Sequence, residues 1–261
     1  MTSVDELQLA WSQLKPYYEI PSNADKLPRK PIYGFLRLTL SPFLRTGLRL
    51  KYCGLEHIPR KGPTILAANH LSHVDPIIVI SAARRTTHYL AKDGHFSNPF
   101  TRIVMTSTGQ IETKRESGGA DALSSAATVL SSQRALGIFP EGTRSRKTEP
   151  PFLLEGKTGI ARLSASYPDT RVVPIALIGT RNVMAPAIHK IPRFWKKIEM
   201  HAGQSITWYE WLTDLNGGNY SIKSLQELSK KQPEEIKAEL SRLYRLFTNQ
   251  LMETLRDLGA P

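Results

Sequence analysis

PTILAANHLSHVDPIIVISAA, residues 63–83, is the stretch on which the reading of this chain turns. Pro63 to Asn69 is a short apolar run of strand length, and Pro76 to Ala83 has a helical pattern. Between them stands a polar turn running from His70 to Asp75. A strand feeding a helix through such a turn is the opening of a βα unit. The pattern recurs on either side. RALGIFP (134–140) and RVVPIAL (171–177) are strand-length, as are THYLAK (87–92) and the region around KIEMHAG (197–203). Helical patterns occupy Ala120 to Ser132 and Thr158 to Ser166. Alternation of this kind predicts an α/β domain, a mixed, mostly parallel sheet flanked by helices, over residues 54–215. Residues 1–53 read as helical pieces broken by Pro16, Pro21, Pro28, Pro31 and Pro42. Residues 216–261 read as a loop, NGGN, and then a long amphipathic helix packed on the domain. Its stripe is Ile236, Leu240, Leu243, Phe247, Leu251, Leu255 and Leu258, with Pro233 at the entry and Gly259 at the exit.

The polar turn is where chemistry is expected. His70 and Asp75 are five residues apart, and on a regular helix such positions point about 140° apart, so they meet only if the turn is irregular. A carboxylate on one imidazole nitrogen fixes the tautomer and frees the other nitrogen to take a proton. Asp75, followed by Pro76, would equally suit a helix N-cap. His73 is a rival base. A second polar cluster, Phe139 to Ser145 (FPEGTRS), also follows a strand, and Arg144, with Arg146 and Lys147 beyond it, suits a phosphate. A third, GQIETKR (109–115), adds Lys114 and Arg115.

Composition narrows the partners. The 261 residues are 40% hydrophobic and 22% charged, ordinary globular usage. A single cysteine, Cys53, excludes an intrachain disulfide and suggests a reducing compartment. There is no apolar run of about 18 residues to span a bilayer, and the acidic start lacks the basic region of a signal peptide. The net charge of +12 points to an anionic partner. From Arg29 to Lys61, eight basic residues and one acid (Glu56) are set among leucines and phenylalanines. That mixture suits a segment lying in a lipid headgroup layer, with Arg37, Arg45 and Arg49 toward phosphates. Snorkelling arginines on the protein's own core would look similar.

Other chemistries fit less well. His70, His73 and Asp75 are metal-ligand types, but no further ligand pair lies at a suitable spacing, so no metal and no cofactor are expected. Gly156-Lys157-Thr158 lacks the upstream glycine of a phosphate loop, since Pro151 stands there. There is no G-x-S-x-G. The basic residues follow leucines rather than an aromatic platform, and no nucleic acid partner is expected.

NHLSHVDP (69–76), with FPEGTRS about 64 residues further on, resembles the glycerolipid acyltransferases, in particular the 1-acylglycerol-3-phosphate acyltransferases. GQIETKR stands as a second block, with Glu112 and Thr113 where proline or apolar residues are common, and VVPIAL (172–177) as a fourth. The resemblance implies transfer of an acyl chain from acyl-CoA or acyl-carrier protein to the sn-2 hydroxyl of lysophosphatidic acid. His70 would be the general base and Asp75 its orienting partner. Glu141, Gly142, Thr143 and Arg144 would hold the acceptor, with Arg115 and Lys114 adding charge. It also implies attachment to the cytoplasmic face of an anionic membrane, peripheral or monotopic. Another lysophospholipid, dihydroxyacetone phosphate or a glycolipid could use the same dyad, and a catalytically silent membrane-surface protein is the alternative of a different class.

Overall fold

The computed structural model describes residues 3–23, 27, 49–92, 110–113, 118–186, 188, 191–193 and 195–261. Its central strand comes from the stretch read first. β2 (Thr64–Ala68) is buried at every position, as a strand covered on both faces must be. Seven strands among the described residues form one sheet, in the order β1-β7-β6-β2-β5-β3-β4. They are β1 (Leu50–Cys53), β2, β3 (Thr87–Lys92), β4 (Ile111–Thr113), β5 (Ala135–Ile138), β6 (Arg171–Ile178) and β7 (Ile198–Ala202). Every pairing is parallel except β6 with β7. The mixed, mostly parallel sheet is therefore as expected.

Side chains alternate across this sheet and divide the core in two. Ile65, Ala67, Leu136 and Val172 face one apolar cluster. Leu66, Ala68, Val173, Ile175 and Leu177 face the other. On the second face lie α3 (Asp75–Ala83), through Ile78, Val79 and Ala82, and α6 (Thr180–Met184), through Val183. On the first face lie α4 (Gly118–Ser131), α5 (Gly159–Ser166) and the long α9 (Pro233–Asp257). α9 begins at Pro233, with the Gln232 N–H donating to the Glu235 carboxylate at 3.3 Å. It buries Ile236, Leu240, Leu243, Phe247, Leu251 and Leu255, and beyond it Gly259 takes φ +99°.

Helices the sequence left undrawn complete this layer. α7 (Trp208–Thr213) starts on a capping box between Thr207 and Glu210, and α8 (Ile222–Leu228) on one between Ser221 and Ser224. Residues 3–23 carry α1 (Ser3–Ser12) and α2 (Lys15–Tyr18), and they pack on this face through Ala10, Trp11, Leu14 and Ile20. Trp11 and Leu14 are fully buried. The Trp11 Nε1–H donates to the Ala165 carbonyl at 3.0 Å, and its ring stacks on Tyr18 and lies 5.6 Å from Trp208. β1 is a sheet strand where only helical pieces were expected, so the sheet begins before residue 54. Its four residues are half-buried or exposed, which gives too weak an alternation to read as a strand. Arg37 and Arg45 lie outside the described residues. Arg49 is exposed, and its carbonyl accepts from the Ile198 N–H at 2.9 Å, extending the β1–β7 edge. No helix among the described residues is long and apolar enough to cross a membrane.

Candidate active site

The site lies where β2 and β5 run out at their C-terminal ends, the usual place for a ligand in an open α/β sheet. Asn69 closes β2. Its Nδ2 donates to the Leu177 carbonyl at 3.0 Å and its Oδ1 accepts from the Leu177 N–H at 2.6 Å, so the turn starts from a point fixed on β6. The turn then folds around Asp75, which is fully buried at the start of α3. Its Oδ2 accepts from His70 Nδ1 at 2.9 Å, the Leu71 N–H at 2.7 Å and the Ser72 N–H at 2.6 Å. Asp75 therefore does not cap the helix that follows. It reaches back and draws the preceding loop around its own carboxylate, which is how two residues five apart come to meet.

Every handle on His70 except one is taken. Its backbone N–H donates to Glu141 Oε1 at 2.6 Å, and its carbonyl accepts from the Ser145 N–H at 3.0 Å. Its ring lies flat on Phe139, with centroids 3.8 Å apart, and Tyr89 lies behind Phe139 at 5.3 Å. Asp75 on Nδ1 selects the tautomer that carries its proton there. Nε2 makes no hydrogen bond among the described residues, and the side chain is 16% exposed. The arrangement can take a proton from a hydroxyl group brought to Nε2. His73 has no such support from Asp75. It is exposed, and the Arg144 guanidinium lies against its ring.

FPEGTRS is the other half of the site. Gly142 takes φ +70°, a conformation that favours glycine, and a Cβ there would come within 3.0 Å of Lys157 Nζ. Gly142 and Thr143 are exposed, and Arg144 is half-buried, its pKa lowered by that burial. Glu141 differs from the expectation. It is 2% exposed, and its two oxygens accept from the His70 and Leu154 N–H groups at 2.6 and 3.0 Å. Burial pushes its pKa up to about 7. A side chain in this position holds loops together beneath the site instead of facing an acceptor molecule. Lys114 and Arg115 lie outside the described residues.

Several members of the site were missed as individuals. Phe139 and Ser145 stand inside a quoted motif, but no spacing rule points to a ring stack or a backbone bond. Ser72 Oγ donates to the Met184 carbonyl at 2.7 Å. Arg181 donates to the carbonyls of Ser145 (3.3 Å) and Lys147 (2.5 Å) and stacks over Phe152. These join α6 to both loops over long sequence separations, for which one sequence carries no signal.

Residues 49–178, which contain β1 to β6 and both loops, match the family model named Acyltransferase. The chain belongs to the acyltransferase family. Among the relatives of this chain is the 1-acyl-sn-glycerol-3-phosphate acyltransferase of Borreliella burgdorferi. It is 33% identical over 138 residues, which are 52% of this chain and 54% of that protein. The enzyme of the same name from Bacillus subtilis is 26% identical over 133 residues, 51% of this chain and 66% of that one. The chain thus spans about half the length of the first relative and just under two thirds of the second. The 1-acyl-sn-glycerophosphate acyltransferase of Thermotoga maritima shares the fold, with a TM-score of 0.53, 16% identity and 94% of each chain covered.

Proposed function

We propose that this chain is an O-acyltransferase that moves a fatty acyl group from an acyl thioester, acyl-CoA or acyl-carrier protein, to the sn-2 hydroxyl of 1-acylglycerol 3-phosphate. The observation that carries the reading is the hold on His70, with Asp75 on Nδ1, Glu141 and Ser145 on the backbone and Phe139 under the ring, leaving Nε2 open. The names of the Borreliella and Bacillus relatives support the acceptor. His70 Nε2 takes the proton of the acceptor hydroxyl as its oxygen attacks the thioester carbonyl. Asp75 stabilises the imidazolium that forms, in the manner of a triad without its serine. Collapse of the tetrahedral adduct breaks the carbon–sulfur bond, and the imidazolium returns its proton to the leaving thiolate. The thioester is already activated, so the step needs neither a covalent acyl-enzyme nor a metal or cofactor.

Arg144 supplies the phosphate contact, since a guanidinium binds phosphate oxygens in pairs. Glu141 is a positioning residue acting through the backbone of His70. The acceptor and product are lipids, so the enzyme works at an anionic membrane surface on the cytoplasmic side, where the chains need not enter water.

The test is acyl transfer on vesicles, with palmitoyl- and oleoyl-CoA and acyl-carrier-protein donors. Acceptors are lysophosphatidic acid, glycerol 3-phosphate, lysophosphatidylcholine and lysophosphatidylinositol, with His70→Ala alongside. Transfer to lysophosphatidic acid is expected, falling by about 10²-fold to 10⁴-fold in a variant that stays folded. Unchanged transfer in His70→Ala removes the dyad from the mechanism. Transfer to a different acceptor alone overturns the acceptor assignment.

A further inference from the structure

From Gly179 to Ile198 the chain carries five lysines and arginines and no acid, interspersed with isoleucine, proline and aromatic residues. Among its described residues, three large apolar side chains face outward. Ile188 is 62% exposed, Ile191 76% and Trp195 65%, within a single loop between α6 and β7. The protein's other tryptophans, Trp11, Trp208 and Trp211, are 0%, 0% and 5% exposed. An exposed loop with two isoleucines and a tryptophan is costly in water unless something covers it.

The loop is also tied to the site. It leaves α6 at Met184, whose carbonyl accepts from Ser72 Oγ in the His70 turn. It returns to α6 at Arg193, whose N–H donates to the Val183 carbonyl at 2.9 Å. Arg181 of the same helix holds the carbonyl of Ser145, the last residue of FPEGTRS, and that of Lys147 beyond it. The apolar loop therefore belongs to the rim of the candidate active site.

We propose that Ile188, Ile191 and Trp195, with Lys196 beside them, form a docking surface that seats this rim on an anionic lipid bilayer. The occupant follows from the chemistry. Tryptophan is the residue that settles at the boundary between headgroups and acyl chains. Lysine and arginine next to it gain from an anionic leaflet. Lys196 is exposed, and Lys197 is paired with Glu199, the first acid beyond the loop. The proposal rests on the reading above that the acceptor is a membrane lipid. It adds a second anchor to the basic stretch of residues 29–61, placed where the acceptor would enter.

The test uses the full chain and vesicles of phosphatidylcholine with a minor share of phosphatidylglycerol. Binding is followed by flotation, and the depth of Trp195 by quenching with brominated lipid. The other tryptophans are buried, so quenching on binding is expected to come from Trp195 and to vanish in Trp195→Phe. The double variant Ile191→Ser, Trp195→Ser is expected to lower the partition coefficient at least about tenfold. Its melting transition should stay unchanged because both side chains are exposed, and acylation of a detergent-dispersed acceptor should persist. Wild-type binding without quenching, or equal binding by the double variant, overturns the docking surface and leaves the membrane reading standing. Failure of the wild type to bind any vesicle overturns the membrane reading, and the docking surface with it. A change of oligomeric state in the double variant at unchanged vesicle partition assigns the loop to contacts between copies and also overturns the proposal.

Discussion

The Trp208 cluster and the His70 turn lie in one domain and are held by opposite means. Trp208 is fully buried among Trp11, Trp211, Tyr244 and Phe247, with ring centroids 4.8 to 6.1 Å away. Side chains there meet side chains, so shape and volume set the arrangement. His70 is held mostly through backbone. Glu141 takes its N–H, Ser145 its carbonyl, and Asp75 gathers two amides besides the ring nitrogen. The packed region is expected to answer to volume and to report as stability. The site is expected to answer to hydrogen-bond donors and acceptors and to report as turnover.

The sharpest break of that contrast is Asp75→Asn. The amide cannot accept from Leu71, Ser72 and His70 Nδ1 through one oxygen and stabilise an imidazolium as a carboxylate does. Turnover is expected to fall by about 10²-fold to 10⁴-fold with the secondary structure kept. A loss below about tenfold in steady-state kinetics would sink the orienting role. Trp208→Ala should do the reverse, costing about 3–5 kcal/mol in chemical denaturation while the remaining folded protein keeps its turnover. If turnover collapses at full stability instead, the two regions are not separable.

Arg144→Ala is a middling case. Losing a charged contact worth about 1.5–3 kcal/mol should raise the acceptor KM roughly tenfold to a hundredfold and leave the donor KM in place. Equal shifts for both substrates would take Arg144 off the acceptor phosphate. Glu141→Gln is expected to have the smallest effect, and it reads the border between the two regions. Burial raises the folded carboxyl's pKa to about 7, from the 4.5 of an ordinary glutamate. This group therefore favours the native state most below pH 4.5, and the contribution is lost as pH rises through about 7. Urea unfolding at both ends of that window should show the variant gaining on the wild type as pH rises. A constant difference would mean that folding does not raise the Glu141 pKa.

Much of this was legible in the chain because short-range physics wrote it. β2, β5, β6, α3 and the stripe of α9 follow from apolar runs and spacing that burial requires. His70 and Asp75 were legible as residue types that suit proton transfer, and folding brings their side chains together. β1 was not, because an edge strand with half-buried faces carries little alternation.

What only tertiary structure decided is which atoms meet. Glu141 looks like an acceptor ligand in a charged turn, yet folding places it 2% exposed beneath His70, where backbone amides claim both oxygens. Trp11 and Trp195 are the same residue type in sequence. One is sealed against Ala165 and Trp208, and the other stands out on the rim. Local preference sets which elements form, because it is summed over neighbours along the chain. Partners distant in sequence are set by packing of the whole, and a single sequence records no sign of that choice.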